Sequence, residues 1–174
     1  QTPNQKLLQN YQLERVLAFI YPQDYLLSTG YQQYNSVMAI GSGMLTGKGL
    51  NSSTLATVKD ANLISEQQTD FIFSVVGEEL GFVGSVIIIA IIALIVLQCT
   101  KVARKAKDDE GMLIATGVAA LIAFQTFINI GVATALLPNT GLPLPFISYG
   151  LSSLISSCAG IGLVLNIGLQ RRKF

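Results

Sequence analysis

Four carboxylates, Glu66, Asp70, Glu78 and Glu79, fall within fourteen residues of a 174-residue chain that has no histidine. That pairing narrows the chemistry. Without His there is no Ser-His dyad, no His-ligated zinc and no histidine switch. A general base must then be Asp, Glu, Lys, Tyr or Cys. The two cysteines, Cys99 and Cys158, make neither a CxxC pair nor a disulfide framework. The acids stand just before a long apolar run, and near hydrocarbon an ionised side chain faces protein or a wet cavity because lipid solvates it poorly. Asp70, the most accessible of them, is the candidate base. The plain alternative is that Glu78 and Glu79 mark an interface and Asp70 is an N-terminal helix acid favoured by the dipole. On one continuous helix, Ser74, Gly77, Glu78, Gly81 and Ser85 would share a face with Asp70, within roughly 80°. This predicts a small, polar stripe with Glu79 on the opposite side, and Gly77-x-x-x-Gly81 would admit a close neighbour.

The second chemical candidate is Lys48, in Gly41-Ser42-Gly43-Met44-Leu45-Thr46-Gly47-Lys48-Gly49. A P-loop fails here on spacing: Ser42 stands where the first Gly belongs and Gly49 where Ser or Thr belongs. GxGxxG fails at Thr46. What remains is a flexible loop with one lysine and several N–H groups suited to a phosphate, or a plain cluster of turns. Further along, Gln125 and Asn129 share a helix face among apolar residues, and Ser152, Ser153, Ser156 and Ser157 recur in the last apolar segment. Interhelical hydrogen bonding is the favoured reading of these over ligand contact.

The elements that must position these residues are membrane helices. Hydrophobic residues make up 51% of the chain and charged ones 12%. No Asp, Glu, Lys or Arg occurs in residues 80–100 or in the 60 residues 111–170, too long a stretch for a soluble surface. A bilayer core takes about 20 helical residues, so the first gap is one span and the second is two. Pro138, Pro143 and Pro145 divide the second, because proline lacks the N–H donor and resists helix. The expected layout is all-α: an extracellular loop with amphipathic helices over 1–70, spans at 71–100, 111–137 and 148–170, a cytoplasmic loop at 101–110, an extracellular Pro-rich turn at 138–147 and a cytoplasmic tail at 171–174. Short helices are expected at 5–20 and 33–40. Lys101, Arg104, Lys105 and Lys107 follow the first span and Arg171, Arg172 and Lys173 the last, whereas the Pro-rich turn has no basic residue. The positive-inside rule then puts the carboxylates outside. Net charge is +1, which leaves no nucleic-acid footprint. No initiating Met or signal layout precedes the first span, so the chain reads as a C-terminal piece of a longer protein.

With those motifs in place, the sequence resembles the SEDS family (shape, elongation, division and sporulation; the RodA/FtsW/SpoVE type). The resemblance rests on Thr69-Asp70-Phe71-Ile72-Phe73, Gly77-Glu78-Glu79-Leu80-Gly81, Asn129-Ile130-Gly131, Leu137-Pro138 and Gly141-Leu142-Pro143-Leu144-Pro145-Phe146-Ile147-Ser148-Tyr149-Gly150. Ile40-Gly41-Ser42-Gly43 and Gly47-Lys48-Gly49-Leu50 extend it over nearly the whole chain. It implies the last three helices of a polytopic peptidoglycan glycosyltransferase that polymerises lipid II at the outer face of the bacterial cytoplasmic membrane. The stretch Tyr11–Phe19 favours the elongation branch (RodA) over the division branch. Asp70 matches the family's essential acid, Lys48 its loop lysine and Glu66 the Glu before the Thr-Asp-Phe motif. Glu78, Asn129 and Ser148, within the same motifs, complete the candidate substrate contacts. Three departures stand out: Ser65 replaces a usual Pro, Gln68 a frequent His, and Leu151 a usual Gly.

The resemblance implies a mechanism. Asp70 takes a proton from the attacking sugar hydroxyl, and Lys48 or a divalent cation (Mg or Mn) faces the departing pyrophosphate. No metal ligand set is expected. The implied partners are a class B penicillin-binding protein transpeptidase and the membrane proteins of the elongation or division complex. Two other classes remain open: a flippase for the lipid-linked precursor, and a non-catalytic scaffold for the transpeptidase.

Overall fold

The computed structural model describes residues 10–21, 29–49 and 69–170. Glu66, Ser65, Gln68 and the tail at 171–174 lie outside these residues, as do the first five residues of the helix expected from Gln5. The described residues are helical with no strand: α1 Asn10–Ile20, α2 Thr29–Ser42, α3 Ile72–Arg104, α4 Asp109–Ala133 and α5 Leu151–Leu169. Three of them, α3, α4 and α5, are long and apolar enough to cross a membrane.

Local chemistry explains where these helices start and stop. α4 begins on Asp108, whose Oδ1 accepts from the Gly111 N–H at 3.0 Å, and Asp109 and Glu110 complement the positive end of its dipole. Lys101 and Arg104 in the last turn of α3 do the same for its negative end. α4 stops at Ala133, short of the expected 137. The Gly131 carbonyl accepts from both Leu136 and Leu137 N–H groups, and Ala135 adopts φ +56°. A capping turn ends the helix before Pro138 is reached. Two side chains of α2 complete that end: Gln33 Nε2 donates to the Val132 and Leu137 carbonyls, and Ser36 Oγ to Ala133 O at 2.8 Å. A helix leaves its last carbonyls without partners, so α2 is bound to α4 by satisfying them.

α3 is not the single regular helix that a shared Asp70–Ser85 face requires. Gly81 has φ +66° and ψ −164°, and Asp70 lies in the turn before the helix. That region of backbone is open essentially to glycine alone. The break separates a short segment, 72–80, from a longer one, 82–104, whose roughly 34 Å at 1.5 Å per residue matches the ~30 Å hydrocarbon core. The groups released by the break are taken up by the glycine-rich loop. Lys48 and Gly49 N–H groups donate to Glu78 O and Glu79 O at 2.9 and 3.0 Å, while Phe82 and Val83 N–H groups donate to Met44 O and Leu45 O at 2.9 and 3.2 Å. In an unbroken helix these four residues of α3 would pair with one another. The loop sits so close that a Cβ on Gly81 would collide with Leu45 and Gly47 backbone atoms.

The core lies where α3, α4 and the Pro-rich turn meet. Phe73, Ile92, Ile122, Ala133 and Leu144 form one buried cluster, and Cys99, Ala103, Ala115, Ala119 and Val164 a second toward the basic end of α3. α3 and α4 share the largest interface. Much of α5 and the long segment of α3 remains apolar and exposed, including Phe82, Ile87, Leu94, Ile155 and Leu163.

Candidate active site at the start of α3

Thr69, Asp70 and Phe71 make the turn that leads into α3, and each of their three carbonyls is held by a different side chain. Ser148 Oγ donates to Thr69 O at 2.6 Å. Asn129 Nδ2 donates to Asp70 O at 2.8 Å. Ser74 Oγ donates to Phe71 O at 2.7 Å, alongside the Ser74 N–H at 2.9 Å. Phe71 itself is buried and packs against Val132, Ile128 and Leu137. The turn is thus gripped by α3, by α4 and by the segment after the prolines. Asn129 also reaches Leu142 O at 2.7 Å, and Ser148 Oγ accepts from the Leu144 N–H at 2.7 Å. The same two side chains therefore tie the Pro-rich turn to the Asp70 turn.

That turn brings Gly141 against the acid. Gly141 has φ +72°, and its N–H donates to Asn139 Oδ1 at 3.2 Å. A Cβ placed on it would lie 3.2 Å from Asp70 Oδ2 and 3.8 Å from Arg15 Nη1. Glycine serves here twice: it tolerates the left-handed backbone and leaves room for a carboxylate and a guanidinium. Asp70 and Arg15 are both half-buried. Sequence reasoning gave Arg15 no role beyond the polar side of an amphipathic helix.

The other site candidates take distinct places. Lys48 Nζ lies 2.6 Å from Glu78 Oε1 at the α3 break; the Glu78 side chain is only 1% exposed and that of Lys48 18%, so the pair is buried on its carboxylate side. Ser74, Gly77, Glu78, Gly81 and Ser85 are buried as the stripe predicted, and Glu79 is partly exposed, but the broken helix does not align them with Asp70. The glycine-rich loop presents no open row of N–H donors. Those of Gly43, Met44, Gly47, Lys48 and Gly49 all meet backbone carbonyls. Asn129 and Ser148 act on the backbone around Asp70. Asn129 Oδ1 is buried without a hydrogen-bond partner.

Among the described residues no cluster of three protein ligands for a divalent ion is formed. Mg and Mn take hard oxygen ligands. No group of three or more Asp, Glu, Cys or His converges among the described residues, and Glu78 is engaged by Lys48. No step below passes through a metal.

With this geometry established, comparison with known proteins places the chain. The family described as "Cell cycle protein", FtsW/RodA/SpoVE, matches residues 5–173. The chain belongs to this FtsW/RodA/SpoVE family. It is 40% identical over 163 residues to "Probable peptidoglycan glycosyltransferase FtsW" of Geobacter metallireducens, covering 94% of this chain and 42% of that protein. To "Peptidoglycan glycosyltransferase MrdB" of Escherichia coli K12 it is 38% identical over 166 residues, 95% of this chain and 44% of the relative. A solved structure described as "Structural coordination of polymerization and crosslinking by a peptidoglycan synthase complex" superposes with a TM-score of 0.72 at 34% identity, over 96% of this chain and 44% of that one. The chain thus spans less than half the length of the curated relatives it matches. FtsW/RodA/SpoVE membership agrees with three membrane-crossing helices in one multi-pass protein. Identities of 38–40% to both FtsW and MrdB do not separate the family's branches.

Proposed function

We propose that the chain is part of a peptidoglycan glycosyltransferase that polymerises lipid II, with Asp70 as general base. The observation that carries this reading is the clamp on three successive carbonyls around Asp70, in a chain whose relatives are named as such enzymes. A base must be held still to be useful, because proton transfer and attack require reacting atoms about 3–3.5 Å apart in a fixed line. Three side chains from three segments supply that rigidity.

The chemistry balances simply. The acceptor sugar hydroxyl donates its proton to the Asp70 carboxylate. Its oxygen attacks the anomeric carbon of the donor and forms the new glycosidic bond. The bond from that carbon to the diphosphate oxygen breaks, and its electron pair leaves with the diphosphate. One in-line displacement converts an α-linked donor to a β-linked product. The site faces the outside of the cytoplasmic membrane, a placement supported by Lys101, Arg104, Lys105 and Lys107 at the other end of α3. A class B penicillin-binding protein transpeptidase is the proposed partner, since the superposed structure is described as a complex that couples polymerisation to crosslinking.

The test is Asp70→Asn in the full-length protein, assayed for glycan polymer from purified lipid II. A loss of about 10²-fold or more is expected from removing a general base. Wild-type polymerisation by the variant would sink the assignment. Retained precursor translocation in proteoliposomes with no polymerase activity in either protein would favour a flippase instead.

A further inference from the structure

A helix beside water turns its polar side chains outward. α2 does the reverse. Gln33, Asn35 and Ser36 are buried, with Gln33 and Ser36 bonded to the C-terminal end of α4. Tyr31, Tyr34 and Met38 share a different face, within roughly 60° of one another, and are exposed. The apolar surface continues past the helix. Met44 and Leu45, at the tip of the glycine-rich loop, are 81% and 67% exposed.

The backbone sets this surface beside a membrane-crossing helix. Ile40 and Gly43 pack on Gly77, the Met44 and Leu45 carbonyls accept from Phe82 and Val83, and Lys48 and Gly49 return to Glu78 and Glu79. The chain thus follows α3 to the start of its long segment and turns back, with Met44 and Leu45 at the turning point. Phe82 and Val83 are exposed and apolar as well. Phe82 stands 19 residues, about 28 Å of helix, before Lys101. With Lys101 at one edge of a ~30 Å hydrocarbon core, the loop tip reaches the other edge.

We infer that α2 and the tip of the glycine-rich loop form a re-entrant element that enters the lipid leaflet at the Asp70 end of the protein, with Tyr31 and Tyr34 at headgroup level and Met44 and Leu45 among the acyl chains. The inference does not depend on the glycosyltransferase reading. The occupant is lipid because the surface is continuous with Phe82 and Val83 of a membrane-crossing helix, and because tyrosines stand at its far end, where an amphipathic ring favours the headgroup layer. Backbone at that depth needs partners for its polar groups. The Met44 and Leu45 carbonyls and the Gly43, Met44 and Gly47 N–H groups have them. Lipid contact then helps to hold in the α3 break the loop that carries Lys48.

The experiment places one nitroxide label at a time on the full-length protein in liposomes, with its native cysteines replaced. The variants are Tyr31→Cys, Tyr34→Cys, Met38→Cys and Leu45→Cys, with Phe82→Cys as the lipid-facing reference and Asn139→Cys as the water-facing one. Collision with oxygen, which concentrates in lipid, is compared with collision with a water-soluble nickel chelate. The oxygen-to-nickel ratio should rise from residues 31 and 34 to 38 and then to 45, where it should match residue 82. A ratio at 38 and 45 equal to that at 139 would put the surface in water and overturn the inference. Shielding of 38 and 45 from both reagents would overturn it too, since another protein segment would then cover them. If Leu45→Cys does not fold, Met44→Cys takes its place with the same expected ratio. In the same liposomes, Met44→Asp with Leu45→Asp should speed amide exchange at Lys48 and Gly49, because carboxylates drawn to water pull the loop from the break; unchanged exchange would count against lipid contact.

Discussion

The proposed role of Asp70 depends on the side chains that hold the backbone around it. Asn129 is the most exposed to test. It satisfies two carbonyls at once, Asp70 O and Leu142 O. Leaving a buried carbonyl without a donor costs about 1–3 kcal/mol, so Asn129→Ala should lower stability by at least that and lower activity further by loosening the turn. Thermal unfolding and lipid II polymerisation, compared on one preparation, check this; an Asn129→Ala protein with normal activity would remove the clamp from the mechanism. Gly141→Ala makes a sharper case. Its methyl group would press on Asp70 Oδ2 from 3.2 Å in a left-handed backbone conformation. The backbone alone costs about 1–2 kcal/mol. Activity should fall by far more than that small change in stability, because the displaced atom is the proposed proton acceptor. Equal losses in the two measurements would argue that Gly141 only shapes the turn.

At the scale of elements, the broken helix and the loop that fills it form one unit. Gly81 supplies the break, and four backbone hydrogen bonds and one buried ion pair hold the loop in it. Removing one partner of a buried pair costs about 3–5 kcal/mol, because the other charge stays behind without water. Lys48→Ala should therefore destabilise strongly, whereas Lys48→Met with Glu78→Leu should restore much of the loss. Chemical or thermal denaturation of both variants separates the pair's structural role from a substrate role. If the double variant recovers stability but not polymerisation, Lys48 or Glu78 has a further task in catalysis. The stripe of small and polar residues was legible in sequence because it follows helical spacing. The break was not, since Gly81 reads equally well as a packing glycine until Leu45 and Gly47, 36 and 34 positions earlier, are seen against it.

For the whole molecule, exposed apolar surface is the dominant fact. Only 11–28% of each membrane-crossing window is buried within the chain. Between α3 and α4 lies an almost wholly apolar groove of about 670 Å³, lined by residues such as Ile89, Ala93, Phe127 and Ile130. Such surface is stable only against lipid or more protein. Orientation is the testable property at this scale. In a full-length protein with Cys99 and Cys158 replaced, a cysteine at Asn139 should react with a membrane-impermeant thiol reagent added outside, and one at Lys105 should not. The reverse pattern would place the Asp70 site in the cytoplasm and remove access to an external glycan.

Sequence alone determined the fold class, the three membrane-length helices and the family, because these depend on composition, local periodicity and contiguous motifs. A charge-free run of 60 residues cut by prolines has few other solutions. Tertiary structure alone decided the partners. Lys48 went to Glu78, 30 positions away; Asn129 and Ser148 went to the backbone around Asp70, 59 and 79 positions away; and α1 brought Arg15 to Gly141. The physical reason is that charge pairing and carbonyl capping are settled by which groups must be buried together once the helices pack. No spacing along the chain encodes that.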